Sequence, residues 1–325
     1  MKVVVTGGAG FLGQMLIRAL CERGRLTRSD GSQYAIEQVV SIDQAQTGRL
    51  FVDDRVGYVV GDIANAQFLS HVLARDTDSV FHLAAVVSGA AEADFDLGMR
   101  VNLDGTRALL ECCRAQPVAP RVVFASSVAV FGGVLPLVTD DTYPRPATSY
   151  GVQKLVGEFL IGDYSRKGFI DGRAVRLPTI VVRPGRPNAA ASGFASGIIR
   201  EPLAGVEAIC PVEGATAMWV SSPAAAIASL VHAHELAPEA WGTQRALNLP
   251  GITVTVAGMI EALRKVGGDA AAARVRMQRD ETICRIVDTW PARFQPARAT
   301  ALGFAQDADF VGIVRAYVEA MRAPA

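Results

Sequence analysis

Tyr150 and Lys154 stand four residues apart in SYGVQKLVGE, a mildly apolar run that reads as a helix. Residues four apart lie on one face of a helix, about one turn from each other. A phenol beside an ammonium group can remove the proton of an alcohol, because the positive charge favours the phenolate. Taken alone, however, the pair is more typical of a tyrosine at a core edge beside a solvated lysine.

A glycine-rich turn near the amino terminus predicts a phosphate-binding site. In VVVTGGAGFLG, Gly7, Gly10 and Gly13 follow a strand-like run and open a helix-like run. This order allows a tight turn, close approach of the backbone to a pyrophosphate, and close packing of the helix on the strand. The N–H groups at the helix N-terminus and the helix dipole would bind the pyrophosphate.

Asp43 ends the second predicted strand, where a carboxylate can bind the ribose hydroxyls of adenosine. It would also repel a 2′-phosphate, so NAD is favoured over NADP. Asp43 follows Gly13 by about thirty residues, whereas about twenty is usual. The polar segment 23–35, which we expect to be a surface loop, accounts for the difference. The alternative is that Asp43 only caps the strand.

These residues must be positioned by the alternating strands and helices of the first half of the chain. Continuous apolar strands alternating with helices indicate a parallel sheet covered on both faces. The sequence therefore predicts an α/β fold with a Rossmann-type doubly wound sheet. The predicted strands are 2–7, 37–43, 56–63, 79–85, 121–127 and 173–185, and the main helices are 11–24, 102–116 and 150–166.

Alanine, glycine and proline become frequent beyond the last of these strands, and the strand-helix alternation weakens. We therefore expect an NAD-binding domain over residues 1–177 and a smaller, mixed substrate-binding domain over 178–325. Some later segments are expected to return to the first domain.

The composition argues against several classes of function. The 325 residues carry 32 lysines and arginines and 32 aspartates and glutamates, so no net charge attracts nucleic acid or an anionic membrane. No apolar run reaches the roughly 18 residues of a membrane span, and no charged leader precedes the first strand. The five cysteines form neither a disulfide framework nor a zinc spacing. We expect a cytoplasmic protein that binds no metal, nucleic acid or membrane.

With these motifs assembled, the chain resembles the extended short-chain dehydrogenase/reductase family, which includes NAD-dependent epimerases and dehydratases. The segments TGGAGFLG, GDI, HLAA, VNLDGT, FASSVAVFG, YGVQK and RLPTIVVRPG occur in the order of the family. The resemblance implies that NAD is bound by the N-terminal domain. It also implies a small, often sugar-derived substrate between the two domains, and a homodimer formed through the helices near 102–116 and 150–166.

The resemblance also assigns roles to single residues. Tyr150 and Lys154 match the catalytic Y-x-x-x-K, with Tyr150 as the general base, and Ser127 matches the serine that holds the substrate oxygen. Asn102 matches an asparagine that helps to order the cofactor site. The implied cofactor-binding set is Gly7, Gly10, Phe11, Leu12, Gly13, Asp43, Asp62, Ile63, Leu83, Ala84, Ala85, Asn102, Tyr150, Lys154, Leu177, Pro178 and Thr179.

Three further stretches, VSIDQ, VRLPTIVVRPGRPNAAASGFASGIIREPLAG and WPARFQPARATALGF, are similar to relatives that oxidise free sugar acids. That resemblance implies oxidation of a small acid, D-erythronate, at C2 to 2-oxo-D-erythronate. Arg183 is the candidate partner of the carboxylate, since a planar guanidinium can bind both oxygens. A surface or interdomain ion pair is the alternative for Arg183. Ser88, Gly89, Ser127 and Tyr150 complete the expected substrate contacts.

Two other functions stay open. One is a nucleotide-sugar epimerase or dehydratase that keeps NAD tightly bound, although residues 217–230 lack the R-D-x-x-x-V-x-D stretch of many such enzymes. The other is a dinucleotide-binding sensor without turnover.

The histidines and adjacent cysteines are interpreted as structural residues. His232 and His234 do not share a helix face and predict no metal site. Cys112 and Cys113 are expected to pack within a helix.

Overall fold

The computed structural model describes residues 1–45, 50–74, 76–133, 135–185 and 190–322. Strands are numbered in chain order as β1 Lys2–Thr6, β2 Arg25–Thr27, β3 Gln33–Ala35, β4 Gln38–Asp43, β5 Val56–Val60, β6 Thr77–His82, β7 Arg121–Ser127, β8 Val138–Thr139, β9 Asp171–Leu177, β10 Thr179–Ile180, β11 Ala208–Cys210, β12 Ala217–Ser221, β13 Ala246–Asn248, β14 Ile252–Thr255, β15 Val275–Met277 and β16 Phe294–Gln295.

The α-helices are numbered in the same way. They are α1 Phe11–Arg23, α2 Ala66–Leu73, α3 Ser88–Ala93, α4 Phe95–Gly98, α5 Gly105–Arg114, α6 Ser149–Arg166, α7 Gly193–Leu203, α8 Pro223–Glu235, α9 Pro238–Trp241, α10 Val256–Gly267, α11 Asp269–Ala272, α12 Glu281–Val287, α13 Ala297–Ala301 and α14 Phe310–Arg322.

Two compact units make up the chain. Unit 1 comprises Met1–Ser127, Ser149–Arg176 and Ile227–Asn248, and unit 2 comprises Val128–Thr148, Leu177–Ala226 and Leu249–Ala325. The expected division at 177/178 differs in that segment 128–148 lies in unit 2. There β8 pairs with β16, and Phe131 packs edge-on against Phe294 with ring centroids 5.9 Å apart.

Unit 1 is built on a seven-stranded sheet in the order β13-β9-β7-β6-β1-β4-β5. The pairs β4–β5, β1–β4, β1–β6, β6–β7 and β9–β13 run parallel. The strand order reverses at β1, and open α/β sheets bind ligands in the crevice at the carboxyl ends of such strands. The predicted Rossmann-type doubly wound sheet is confirmed.

The central strands are largely buried and mostly apolar because both sheet faces are covered. Val4, Val40, Val80 and Val122 are buried in one continuous core cluster. Helix α1 ends at Gly24, whose left-handed backbone (φ 69°) lets its N–H group donate to the carbonyl of Leu20.

Segment 23–35 differs from the expected loop, because β2 and β3 pair as an antiparallel hairpin. Its strands have three residues each, too few for an alternating pattern to identify. The hairpin is held to unit 1 by Thr27, whose N–H donates to the Glu235 carboxylate at 3.0 Å. The Thr27 carbonyl accepts from the buried Arg121 guanidinium at 2.9 Å.

Two further elements differ from the expected bounds. The helix predicted at 102–116 begins as a π-helical turn over Met99–Asp104, which α5 continues. The strand predicted at 173–185 is interrupted at Pro178, which has no N–H group for a sheet hydrogen bond. After it, β10 pairs with β12 in unit 2.

Unit 2 is the mixed part of the chain, with the three-stranded sheet β10-β12-β14 and two-stranded pairs. Its core includes Val181, Ile198, Met218 and Leu263. Trp219 is buried and stacks on Phe294 at 5.2 Å, so it belongs to the core of this unit. Across the described ranges, no helix is both long and apolar enough to cross a membrane.

Candidate active site

The glycine-rich turn joins β1 to α1 at the point where the strand order reverses. Gly7 has a left-handed φ of 71°, and a Cβ there would lie 2.8 Å from the backbone nitrogen of Ala84. A Cβ on Gly13 would lie 2.2 Å from the Gly7 carbonyl oxygen. Only glycine therefore lets the turn lie against the end of β6 and the helix against the turn.

The first turn of α1 fits the pyrophosphate of a dinucleotide. Gly10 caps the helix without a side-chain hydrogen bond, and the first helical bond runs from the Gln14 N–H to the Gly10 carbonyl. The N–H groups of Phe11, Leu12 and Gly13 precede that bond and have no partner within the helix. These donors at the positive end of the helix dipole suit a bound anion.

Asp43 lies at the end of β4, beside this turn. Its Oδ2 accepts the Ala9 N–H at 3.1 Å, and its Oδ1 accepts the Gln44 N–H at 2.8 Å. The carboxylate thus helps to shape the turn as well as standing at the position predicted for ribose. The binding of ribose by Asp43 stays a prediction.

The next strand end carries Asp62 and Ile63, expected near the adenine. Burial acts to raise the pKa of Asp62, but hydrogen bonds from the Ala64 N–H and the Arg100 guanidinium lower it overall. Ile63 is buried against Gly105, where a Cβ would lie 2.9 Å from its Cγ1. Asp62 is therefore an anion held by an arginine.

The chain after β6 is fixed by amide hydrogen bonds. Asn102, on the π-helical turn, accepts the Val86 N–H at 2.7 Å and donates to the Val86 carbonyl at 3.0 Å. The same side chain donates to Gln153 Oε1 at 2.7 Å. Leu83 and Ala84 donate backbone hydrogen bonds to Thr6. The predicted Leu83–Ala85 segment is thereby tied to β1, and the residue after it, Val86, is tied through Asn102 to α6.

His82 is buried at the end of β6 with both ring nitrogens paired. Nδ1 lies 2.6 Å from Thr6 Oγ1, and Nε2 lies 2.9 Å from Thr106 Oγ1. Burial, reinforced by the charge of Lys154, lowers the pKa of His82 to about 3. His82 is therefore neutral at ordinary pH and part of the structural frame.

Tyr150 and Lys154 both lie on α6, as predicted. Lys154 is 3% exposed, and its Nζ donates to the Ala125 carbonyl at 2.8 Å. The ammonium lies 4.7 Å from the centroid of the Phe124 ring and 5.7 Å from that of Tyr150. Burial lowers the pKa of Lys154 to about 8, against the opposing effect of Glu158. Lys154 therefore remains largely charged at neutral pH beside the phenol.

The two serines that end β7 have different surroundings. Ser126 is buried and its Oγ donates to Glu158 Oε1 at 2.5 Å. Ser127 is the last residue of the strand and is half-buried. Since Ser126 is committed to Glu158, Ser127 remains the serine that matches the predicted catalytic position.

The other predicted site residues fall in two places. Ser88 and Gly89 begin α3 in unit 1 and are half-buried. Leu177, Pro178 and Thr179 lead from β9 into unit 2.

Arg183 also lies in unit 2. Its N–H donates to Ser196 Oγ and its guanidinium to Ser192 Oγ, both at 3.0 Å. Residues 186–189 of the quoted sugar-acid stretch lie outside the described residues. The substrate roles of Arg183, Ser88 and Gly89 stay predictions.

The remaining polar residues of interest have structural surroundings. His234 is buried between Ser79 Oγ, at 2.8 Å, and Glu235 Oε1, at 3.0 Å. Cys113 is buried in the core on α5, and burial raises the pKa of its thiol. Among the residues that the structure describes, no group of three His, Cys, Asp or Glu side chains could hold a metal ion.

Three residues that support this site carry no sequence motif and were not predicted: Gln153, Glu158 and Arg176. Gln153 accepts a hydrogen bond from Asn102, and Glu158 accepts hydrogen bonds from Ser126 and Arg176. Glu158 follows Lys154 by four residues, so helical spacing alone could have placed both on one face.

Residues 3–219 match the family described as the NAD dependent epimerase/dehydratase family. A D-erythronate dehydrogenase from Cupriavidus necator is 58% identical over 98% of both chains. A D-erythronate dehydrogenase from Haemophilus influenzae is 42% identical over 98% of this chain and 99% of its own.

Solved structures agree on the architecture. A protein described as a nucleoside-diphosphate-sugar epimerase from Agrobacterium tumefaciens is similar with a TM-score of 0.90 and 42% identity, over 98% of this chain and 94% of its own. An L-threonine dehydrogenase from Cupriavidus necator has a TM-score of 0.86 at 22% identity, over 99% of this chain and 100% of its own. The second likeness concerns the fold alone.

Proposed function

Because the chain belongs to the NAD-dependent epimerase/dehydratase family, we propose that it oxidises the C2 hydroxyl of D-erythronate to 2-oxo-D-erythronate. The observation that supports D-erythronate as the substrate is the sequence similarity, along nearly the whole chain, to two D-erythronate dehydrogenases from different bacteria. NAD, when bound, supplies the acceptor for the hydride. The glycine turn and the first turn of α1 would hold its pyrophosphate.

Tyr150 is the proposed general base. The buried Lys154 ammonium, fixed by the Ala125 carbonyl, favours the phenolate form of the tyrosine. The phenolate takes the proton of the C2 hydroxyl as the carbon becomes a carbonyl. Lys154 is proposed to hold the nicotinamide ribose as well. Ser127 is proposed to donate a hydrogen bond to the substrate oxygen throughout.

Arg183 is the proposed partner of the substrate carboxylate. Its backbone is held from two sides, by Ser196 and by Arg200, which donates to the Arg183 carbonyl at 2.7 Å. A held backbone limits the positions that the guanidinium can reach, which favours a fixed bidentate contact. Ser88 and Gly89 are proposed to bind substrate hydroxyls.

A nucleotide-sugar epimerase is the second candidate function, and the description of the Agrobacterium tumefaciens structure favours it. The two functions differ in the fate of the hydride. An epimerase or dehydratase returns it to the sugar, whereas a dehydrogenase releases NADH.

Incubation with NAD and a panel of four- to six-carbon sugar acids, in parallel with UDP- and dTDP-sugars, separates the two functions. We expect steady NADH formation with D-erythronate and no conversion of the nucleotide sugars. Absence of NADH with every acid would contradict the proposal, and an altered nucleotide sugar would support the alternative.

We also propose that the protein is a cytoplasmic homodimer. All five cysteines are free thiols, which agrees with a reducing compartment. Exposed Val152 and Phe159 on α6 and Phe95 on α4 support an interface through these helices. Sedimentation of the wild type and of Phe159→Glu tests it, with a monomer expected only for the variant.

A further inference from the structure

A buried carboxylate lies one helical turn beyond Lys154. Glu158 is 5% exposed, and it accepts hydrogen bonds from Ser126 Oγ at 2.5 Å and from Arg176 Nε and Nη2 at 2.9 and 2.7 Å. Arg176 Nη1 donates to Asn248 Oδ1 at 3.2 Å. We name Ser126, Glu158, Arg176 and Asn248 the Glu158 network.

The Glu158 network joins the carboxyl ends of three strands to the helix that carries the catalytic pair. Ser126 is next to last in β7, Arg176 is next to last in β9, and Asn248 ends β13. The three segments of unit 1 end at these same points, at residues 127, 176 and 248. The network therefore fixes the places where the chain leaves unit 1.

Stability alone does not explain a buried ion pair at this place. Removing two charges from water is costly, and apolar residues of similar volume stabilise a protein equally well or better. A carboxylate next to a catalytic lysine has an effect that an apolar residue lacks. It fixes hydrogen-bond donors in place and places a negative charge beside the ammonium.

We propose that Glu158 is a positioning residue for the reaction, which holds the backbone of Ser127 through Ser126 and keeps the Lys154 ammonium beside Tyr150 charged. This inference rests on the proposed function, because it assigns Glu158 a part in that reaction.

Glu158 is the negatively charged group that acts on the pKa of Lys154. Burial lowers the pKa of Lys154, and the Glu158 carboxylate raises it. Without the Glu158 carboxylate, Lys154 would therefore lose its proton at a lower pH than it does in the wild type. Among the described residues, the groups near the ammonium include the neutral His82 on β6, the Phe124 ring and the Ala125 carbonyl on β7, and Tyr150 on α6. Arg176 on β9 pairs with Glu158.

The test compares Glu158→Gln with Asp171→Asn. Asp171 is a matched control, because it is 8% exposed and pairs with the buried Arg121 and Arg173 and with Arg245. It begins β9, whereas Arg176 of the Glu158 network lies near the other end of that strand. The measurements are kcat/KM with D-erythronate and NAD between about pH 7 and pH 9, NADH affinity by fluorescence over the same range, and the free energy of unfolding.

We expect Glu158→Gln to lower kcat/KM by at least about 10-fold, as loss of one charge-assisted contact allows. The loss should grow as the pH rises from about 7 to 9, because Lys154 loses its proton at lower pH in the variant. NADH affinity should fall with the same pH trend. Asp171→Asn should lose stability without any pH-dependent loss of kcat/KM.

A loss by one constant factor at every pH, or wild-type kcat/KM throughout, would overturn the electrostatic role. If wild-type protein forms no NADH from any sugar acid, the proposed function fails, and the NADH affinity still decides the role of Glu158. Ser126→Ala, which leaves the ion pair intact, covers the case in which Glu158→Gln does not fold. We expect it to reduce kcat several-fold at all pH values, and an unchanged kcat would remove the positioning role.

Discussion

Lys154 is the residue on which the proposed chemistry depends most. It is buried against the Phe124 ring, its ammonium donates to the Ala125 carbonyl, and burial lowers its pKa to about 8 against the opposing effect of the Glu158 carboxylate. A charge in such a place acts strongly on its neighbours, since little water screens it. This is the basis of the proposal that Lys154 favours the phenolate form of Tyr150, which lies one turn away on the same helix.

Tyr150→Phe removes the proposed base and leaves the ring in place. We expect kcat with D-erythronate to fall by at least about 10²-fold, as is usual when a general base is removed. NADH affinity, measured by fluorescence, should change by much less than kcat, because Lys154 and the glycine turn are intact. A variant that keeps wild-type kcat would show that another group takes the proton.

Arg183→Lys keeps the charge at the proposed carboxylate site and removes the bidentate geometry. We expect KM for D-erythronate to rise by about 10-fold, which corresponds to roughly 1.4 kcal/mol, with a smaller change in kcat. Arg279→Lys makes the same chemical change in an exposed surface ion pair of unit 2 and is the control. Equal KM values for Arg183→Lys and wild type would exclude the proposed contact.

Helix α6 is the element that carries both proposed catalytic residues, and its glycines differ in their surroundings. A Cβ on Gly157 would lie 2.7 Å from the Phe124 ring, whose face lies against the Lys154 ammonium. A Cβ on Gly162 would meet nothing within 4 Å. The first glycine is therefore required by packing, and the second is tolerated at a cost in backbone entropy.

Substitution of these two glycines by alanine should have opposite effects. Gly162→Ala should raise the free energy of unfolding by about 0.5–1 kcal/mol. Gly157→Ala should lower it by about 1–3 kcal/mol through overpacking against Phe124, and kcat should fall with it. Urea denaturation measures both. A stabilised Gly157→Ala variant would mean that Phe124 has room to move and does not fix Lys154.

Sequence patterns predict an element well when the residues that define it lie close together in the chain. The glycine turn, the apolar strands and the Tyr-Lys spacing are of this kind. The hairpin over 25–35 was missed because its strands have only three residues each, too few to show an alternating pattern. The Glu158 network was missed because Ser126, Glu158, Arg176 and Asn248 meet only after four distant parts of the chain have folded together.

At the level of the whole molecule, the chain enters unit 1 three times. The last segment, Ile227–Asn248, adds β13 to the sheet edge. It also supplies His234, which is buried against Ser79, and the half-buried Glu235, which accepts the Thr27 N–H. The sequence indicated that some later segment returns, but a three-residue strand gives no pattern that could identify which one. Assembly of unit 1 therefore requires most of the chain.

Two buried histidines should make this assembly sensitive to acid. Burial lowers the pKa of His82 to about 3 and that of His234 to about 4, from a usual 6.5. The unfolded chain therefore binds more protons than the folded one below about pH 6.5, and stability falls as the pH falls from 6.5 towards 4. Each unit of difference between the pKa in the folded and the unfolded chain corresponds to about 1.4 kcal/mol in the free energy of unfolding.

Urea denaturation at a series of pH values checks this dependence. Between about pH 6.5 and 4, we expect the free energy of unfolding to change less with pH for His234→Asn than for wild type, whatever the absolute stability of the variant. His71→Asn, at an exposed position on α2, is the control and should follow the wild type. Parallel curves for His234→Asn and wild type would contradict the account of His234 as a neutral buried group.

The proposed reaction is tested most directly by D-erythronate that carries deuterium at C2. We expect the deuterium to be recovered in NADH, in an amount equal to the 2-oxo-D-erythronate formed, and this transfer to be lost in Tyr150→Phe. Recovery of the deuterium in a sugar product, or formation of NADH without deuterium, would contradict oxidation at C2.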